Sequence, residues 1–316
     1  MKKFNFGTKK WFGMTSLAAV LVLGACSSGG GSTTTGTDAA NNSDSTSTQA
    51  SIGAQVDHKI IGIDPGAGIM TATQKAIDDY GLSDWNLIEG SGAAMTATLD
   101  KAIKKEEPII ITGWTPHWMF AKYDLKYLED PKKSYGDAEE IHTIARLGLQ
   151  EDHPEAYQFL TNFEWTEEEM GEMMIAIQDG TSAEQAAADF VEAHPERVAE
   201  WTNGITPVDG ETITLAFVAW DSEIASTNLV KYIMQEELGF TVKDLQVDAG
   251  PMWLGVAQGD ADASLAAWLP LTHADYWNQY QDKIEDLGAN MKGVKTGLVV
   301  PAYVDANSIE DLVDSK

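Results

Sequence analysis

The chain has 316 residues, with 49 Asp and Glu against 21 Lys and Arg and a formal net charge of −28. This balance excludes a nucleic-acid binder, because phosphate backbones are held by clustered Lys and Arg. The single cysteine excludes a disulfide framework.

Lys2, Lys3, Lys9 and Lys10 precede an apolar run from Met14 to Leu23, which closes in Leu23-Gly24-Ala25-Cys26. A basic start, a short apolar stretch and small residues predict an export signal over 1–25. The ending resembles the lipobox of bacterial lipoproteins, which implies lipidation at Cys26 and a chain tethered to the membrane. Residues 26–56 are mostly Ser, Thr, Gly, Ala, Asn, Asp and Gln, too polar to offset their ordering entropy, and read as a flexible tether. No later segment approaches the roughly 20 apolar residues of a membrane span.

Beyond the tether, apolar runs alternate with helical spacing. A strand over 59–63 leads through Asp64-Pro65-Gly66-Ala67-Gly68 into a helix over 69–80, stopped by Gly81. A strand over 85–88, a helix over 93–105 and a strand over 109–112 follow, ending in Gly113-Trp114-Thr115-Pro116. Residues 139–203 read as helical. Thr166 with Glu167, Glu168 and Glu169 opens one of these helices, and the three acids suit its N-terminus better than a metal site. The first layout then recurs: a strand over 212–219, a helix over 222–238, a strand over 241–247, a helix over 251–258 and a strand over 263–267 before Trp268-Leu269-Pro270. This order predicts an α/β protein of two lobes with mostly parallel sheets, descended from a duplication. The tail, a strand over 297–304 and a short helix over 308–313, is expected to cross back to the first lobe.

Trp114, Trp220 and Trp268 each fall at the C-terminal end of a predicted strand, the edge that faces the ligand crevice in open α/β sheets. Each has a packing reading as well. Recurrence in both copies favours a cage in which indole faces hold a quaternary ammonium by its charge, each contact contributing roughly 0.5–2 kcal/mol. The Gly-rich turn at 64–68 and the free N–H groups that start the next helix suit a carboxylate. His273 could donate a further bond, although a lone His is more often structural or at the surface. No Gly-x-Ser-x-Gly elbow, phosphate loop or His-Glu-x-x-His pair supports an enzyme, and neither a cofactor nor a metal is expected. A surface adhesion protein is the other reading, and it would be indifferent to small ligands.

IIGIDPGAGIM, IIITGWTPHWMFAKYDLKYLEDP, FVAWDSEIAST, AGPMW and AAWLPLTH closely resemble the glycine betaine-binding lipoproteins of the OpuA type. The resemblance covers nearly everything after the tether. It implies a bilobal periplasmic-binding-protein-like (type II) fold and a monomeric receptor on the extracellular face of the membrane. Such a receptor delivers glycine betaine or proline betaine to the transmembrane subunit and ATPase of an ABC importer, for osmoprotection. Choline or another methylated ammonium or sulfonium compound is the alternative ligand. Position by position, the aromatic prism falls on Trp114, Trp220 and Trp268, and the carboxylate contacts on the N–H groups of Gly68 and Ile69 and on His273. The lobes are expected at 57–138 plus 303–316 and at 139–302. Trp118, Trp253 and His117 are expected beside the cleft as supporting groups.

Overall fold

A computed structural model describes residues 50–314. The stretch read as an export signal and Cys26 lie outside the described residues. The featureless tether expected up to residue 56 ends sooner. Ile52–Gln55 forms a helical turn whose Ser51 hydroxyl accepts from the Ala54 N–H, and its Gly53 is buried.

Nine strands form one continuous sheet: β1 (Lys59–Ile61), β2 (Asn86–Ile88), β3 (Ile111–Thr115), β4 (Leu125–Tyr127), β5 (Glu139–Arg146), β6 (Thr212–Phe217), β7 (Thr241–Gln246), β8 (Ala263–Leu269) and β9 (Ile284–Pro301). Their order is β2-β1-β3-β9-β5-β8-β6-β7, with β4 added on β9. The two ends repeat one plan. In β2-β1-β3 and again in β7-β6-β8, the first strand of each copy lies between its second and third, and all three run parallel. This is the expected bilobal, periplasmic-binding-protein-like architecture.

The centre differs from expectation. Residues 139–146, read as helical, form β5, antiparallel to both β8 and β9. The adjacent acids Glu139 and Glu140 obscured a strand alternation in which Glu139 and Ile141 point inward. The strand foreseen over 297–304 is the end of the 18-residue β9. Its earlier part is interrupted by Gly288 and Gly293, both at positive φ, and by charged residues, so it does not read as one strand. β9 changes partner between Val294, opposite Glu139, and Lys295, opposite Thr115. Up to that point β9 pairs with β5, and beyond it with β3.

Local chemistry explains where several of the helices begin and end. Gly68–Tyr80 follows β1 and ends at Gly81, whose φ of 68° suits glycine. Gly92–Ile103 is capped by the Ser91 hydroxyl, which accepts from the Ala94 N–H. In Glu167–Gln178 the acidic start is a cap: the Thr166 hydroxyl accepts from the Glu169 N–H, and the Glu169 carboxylate accepts from the Thr166 N–H. Among the described residues no helix is long and apolar enough to cross a membrane.

Candidate functional site

One cavity gathers all six residues named from the sequence. It is walled by Trp114, Trp220, Trp268, Gly68, Ile69 and His273, completed by Ile63, Ala67, Thr272 and Thr296. Trp114 and Trp268 are the penultimate residues of β3 and β8, so the duplicated plan sets them at matching positions. Trp220 follows β6 and is the N-cap of the Asp221–Glu236 helix. Thr296 belongs to the crossing strand β9 and lies opposite Trp114 in register.

The indoles are held by their edges. Trp114 Nε1 donates to Ser222 Oγ at 3.3 Å, Trp220 Nε1 to Asp64 Oδ1 at 2.9 Å, and Trp268 Nε1 to Glu223 Oε1 at 3.1 Å. With every N–H engaged, the apolar part of each ring is left to the cavity. The rings are 4 %, 6 % and 3 % exposed, so a cation among them would be almost fully desolvated. Desolvation strengthens a cation–π contact from roughly 0.5–1 to about 2 kcal/mol.

Hydrogen-bond donors gather at Gly68 and His273. Gly68 and Ile69 are the first two residues of their helix, where the helix offers their N–H groups no acceptor, and the N-cap Ala67 makes no side-chain cap bond. Gly68 has a steric reason as well. A Cβ there would sit 2.0 Å from the Thr272 carbonyl oxygen, so only glycine lets the turn seat against the loop from the other half. His273 Nδ1 accepts from the Trp268 N–H at 3.1 Å, which leaves the proton of the neutral ring on Nε2. Burial pulls its pKa down to about 3, so the ring stays neutral. Nε2 itself is buried without a protein partner. The ring stacks on Trp220 with centroids 5.8 Å apart, and Trp253 and Tyr276 meet it at 5.8 Å each.

Glu139, Ser222 and Glu223, beside the site, did not stand out in the sequence. Glu139 is buried and accepts from the N–H groups of Leu271 (3.1 Å) and Thr272 (2.9 Å) and from the Thr272 hydroxyl, holding the loop that carries His273. Asp221 accepts from Trp118 Nε1 at 2.9 Å and lies 3.3 Å from His117 Nε2. Burial opposes its charge, but the neighbouring His117 and Trp118 hold its carboxyl below the usual range. Trp118, Trp253 and His117 thus occupy supporting positions. Ser222 and Glu223 lie two and three residues after Trp220, a proximity visible in the sequence, but their partners lie on other strands.

This arrangement offers desolvated aromatic walls together with neutral and backbone donors, which suits a zwitterion with a methylated cationic head and an anionic tail. The chain matches the family model described as the substrate-binding domain of an ABC-type glycine betaine transport system, over residues 33–193 and 211–316. It belongs to that family. The family is one of transport binding proteins rather than enzymes.

Its relatives include the glycine betaine/carnitine transport binding protein GbuC of Listeria monocytogenes serotype 1/2a (strain 10403S). The two are 53 % identical over 268 residues, which span 84 % of this chain and 89 % of that protein. Lactococcal OpuAC, solved closed with glycine betaine, is 47 % identical with a TM-score of 0.46, over 46 % of this chain and 58 % of that one. A glycine betaine/L-proline-binding protein, ProX, from Borrelia burgdorferi is 36 % identical with a TM-score of 0.46, over 48 % and 58 %. The chain therefore spans somewhat over half the length of these two solved proteins.

Proposed function

We propose that this chain is the receptor of an ABC importer and captures glycine betaine in the cavity between its halves. In this reading the trimethylammonium head lies among Trp114, Trp220 and Trp268. The carboxylate receives the N–H groups of Gly68 and Ile69 and the Nε2–H of His273. One observation carries the proposal: a buried, neutral histidine with an unpaired donor borders the same cavity as three edge-anchored indoles. An apolar core would provide the indoles without that donor.

Proline betaine and carnitine carry the same two chemical ends, and carnitine appears in the name of the Listeria relative. Choline keeps the head but has no carboxylate, so the donors at Gly68, Ile69 and His273 would go unanswered. In the same reading Cys26 carries the lipid, residues after it tether the receptor to the outer face of the membrane, and the receptor acts as a monomer in osmoprotection. The lobes take 57–138 with the C-terminal strand, and 139 onward up to the crossover in β9.

Calorimetric titration with glycine betaine, proline betaine, carnitine and choline tests the assignment. Betaine is expected to bind at least tenfold more tightly than choline, about 1.4 kcal/mol. Equal affinities would mean that the donor end is misassigned. At one hundred times its Kd, betaine should also stabilise the fold by about 2.7 kcal/mol.

A further inference from the structure

We propose that Glu223 is a specificity-determining residue that acts through Trp268: its buried negative charge makes the cage prefer a cation over an uncharged group of the same shape. This inference rests on the reading of the cavity as a betaine site.

Glu223 is 1 % exposed, and one of its oxygens accepts the Trp268 indole N–H. Its other oxygen is 3.4 Å from the Ser226 hydroxyl. Among the described residues no Lys, Arg or His forms an ion pair with it. Anchoring an indole does not require a charge, since the Ser222 hydroxyl anchors Trp114. A buried carboxylate without a cationic partner is costly, and that cost demands a compensating cation or a proton. Burial indeed pushes the Glu223 carboxyl up to about 7, against the bonds from Trp268, Ser226 and Ser222. A quaternary ammonium on the face of Trp268 supplies the compensation. The carboxylate in turn draws on the indole N–H and enriches the ring face in negative charge. Asp64 stands in the same relation to Trp220, so two of the three indoles are backed by a carboxylate.

The other ionisable groups nearby are few. On its own helix Asp221 is engaged by Trp118 and His117, and beyond β8 His273 is neutral. Helices Glu167–Gln178 and Ala183–Ala193 and strands β6 and β7 also pack on the Asp221–Glu236 helix. They bring no charged side chain within hydrogen-bonding reach of Glu223. Because the charged form of Glu223 is the one that favours the cation, affinity should fall as pH drops through its pKa, and binding near neutrality should release protons.

The test compares wild type with Glu223→Gln, which keeps an acceptor for Trp268 and removes the charge. Two ligands are titrated by calorimetry: glycine betaine, and 3,3-dimethylbutanoate, which has carbon in place of the cationic nitrogen. Glu223→Gln is expected to bind betaine about tenfold more weakly at roughly pH 8.5 and to change dimethylbutanoate binding less than about twofold. Wild-type affinity for betaine should fall about tenfold toward roughly pH 5.5, and the variant should lack that dependence. Unchanged betaine binding by the variant, or an equal loss of both ligands, overturns the proposal. If the variant does not fold, titration of wild type near pH 7 in two buffers of different ionisation enthalpy decides. Proton release on betaine binding supports the role of Glu223, and its absence overturns it. Wild type that binds no betaine at any pH defeats the receptor reading itself, an outcome distinct from a variant that matches wild type.

Discussion

Trp268 and the pair Trp114 and Trp220 line the same cavity but are anchored differently. Trp268 donates to Glu223, and both belong to the half that also holds β6, β7 and β8. Trp114, on β3, donates across the cleft to Ser222, and Trp220 donates across it to Asp64, which follows β1. Tyr276 reinforces the crossing by donating its hydroxyl to the Gly66 carbonyl at 2.9 Å. One ring is therefore held within a single half, while the other two take their anchors only when the halves meet. The contrast suggests a sequence of capture, in which the Trp268 surface receives the cationic head and closure completes the cage. On the proposed reading recognition and closure become one event, because the bonds that orient two of the three rings are the bonds that join the halves.

Removing the ring held within one half should have the largest effect. Trp268→Ala is expected to weaken betaine binding by about 2–3 kcal/mol, from the lost cation–π contact and the Glu223 carboxylate left without its donor. Calorimetry measures this directly, and wild-type affinity in the variant would remove Trp268 from the cage. The comparison also requires that the loss appear in affinity more than in the cooperative unfolding of the free protein.

The next effect comes from obstructing the meeting of the halves. Gly68→Ala places a methyl group where the Thr272 carbonyl oxygen lies, and the overpacking is expected to cost about 1–3 kcal/mol of betaine affinity. Gly171→Ala is a suitable control, since nothing lies within 4 Å of a Cβ there. If both variants bind alike, close seating of the Gly68 turn is not required for capture.

The parts of the site that the sequence disclosed share a physical character. Trp114, Trp220 and Trp268, which line one cavity, could be singled out because strand ends have a recognisable pattern and indoles are rare and chemically distinct. Gly68 and Ile69, which border the same cavity, could be singled out because a glycine-rich turn before a helix leaves N–H groups without helical acceptors. Glu139, Ser222 and Glu223 were missed because their roles depend on partners brought near by tertiary packing, and nothing local marks an acid as buried. Strand β5 was missed for a related reason: Glu139 at an inward position is tolerated only because Leu271 and Thr272 satisfy it. The long β9 was concealed by its Gly288 and Gly293 positions, which break strand periodicity beside the register shifts of its pairing with β5.

Ser222→Ala should have the smallest effect and is the most selective probe of the contrast between the rings. It removes the hydrogen bond from the Trp114 indole N–H to the Ser222 hydroxyl and leaves every ring in place. At 3.3 Å the bond is long, and a neutral hydrogen bond contributes about 0.5–1.5 kcal/mol net, so a loss near 0.5 kcal/mol of betaine affinity is expected. Because the bond exists only when the halves are together, the loss should appear as faster ligand release with little change in capture rate or in the stability of the free protein. Stopped-flow indole fluorescence separates the two rates. A slower capture rate with unchanged release would show that Trp114 is oriented before closure, and the distinction between the rings would fail.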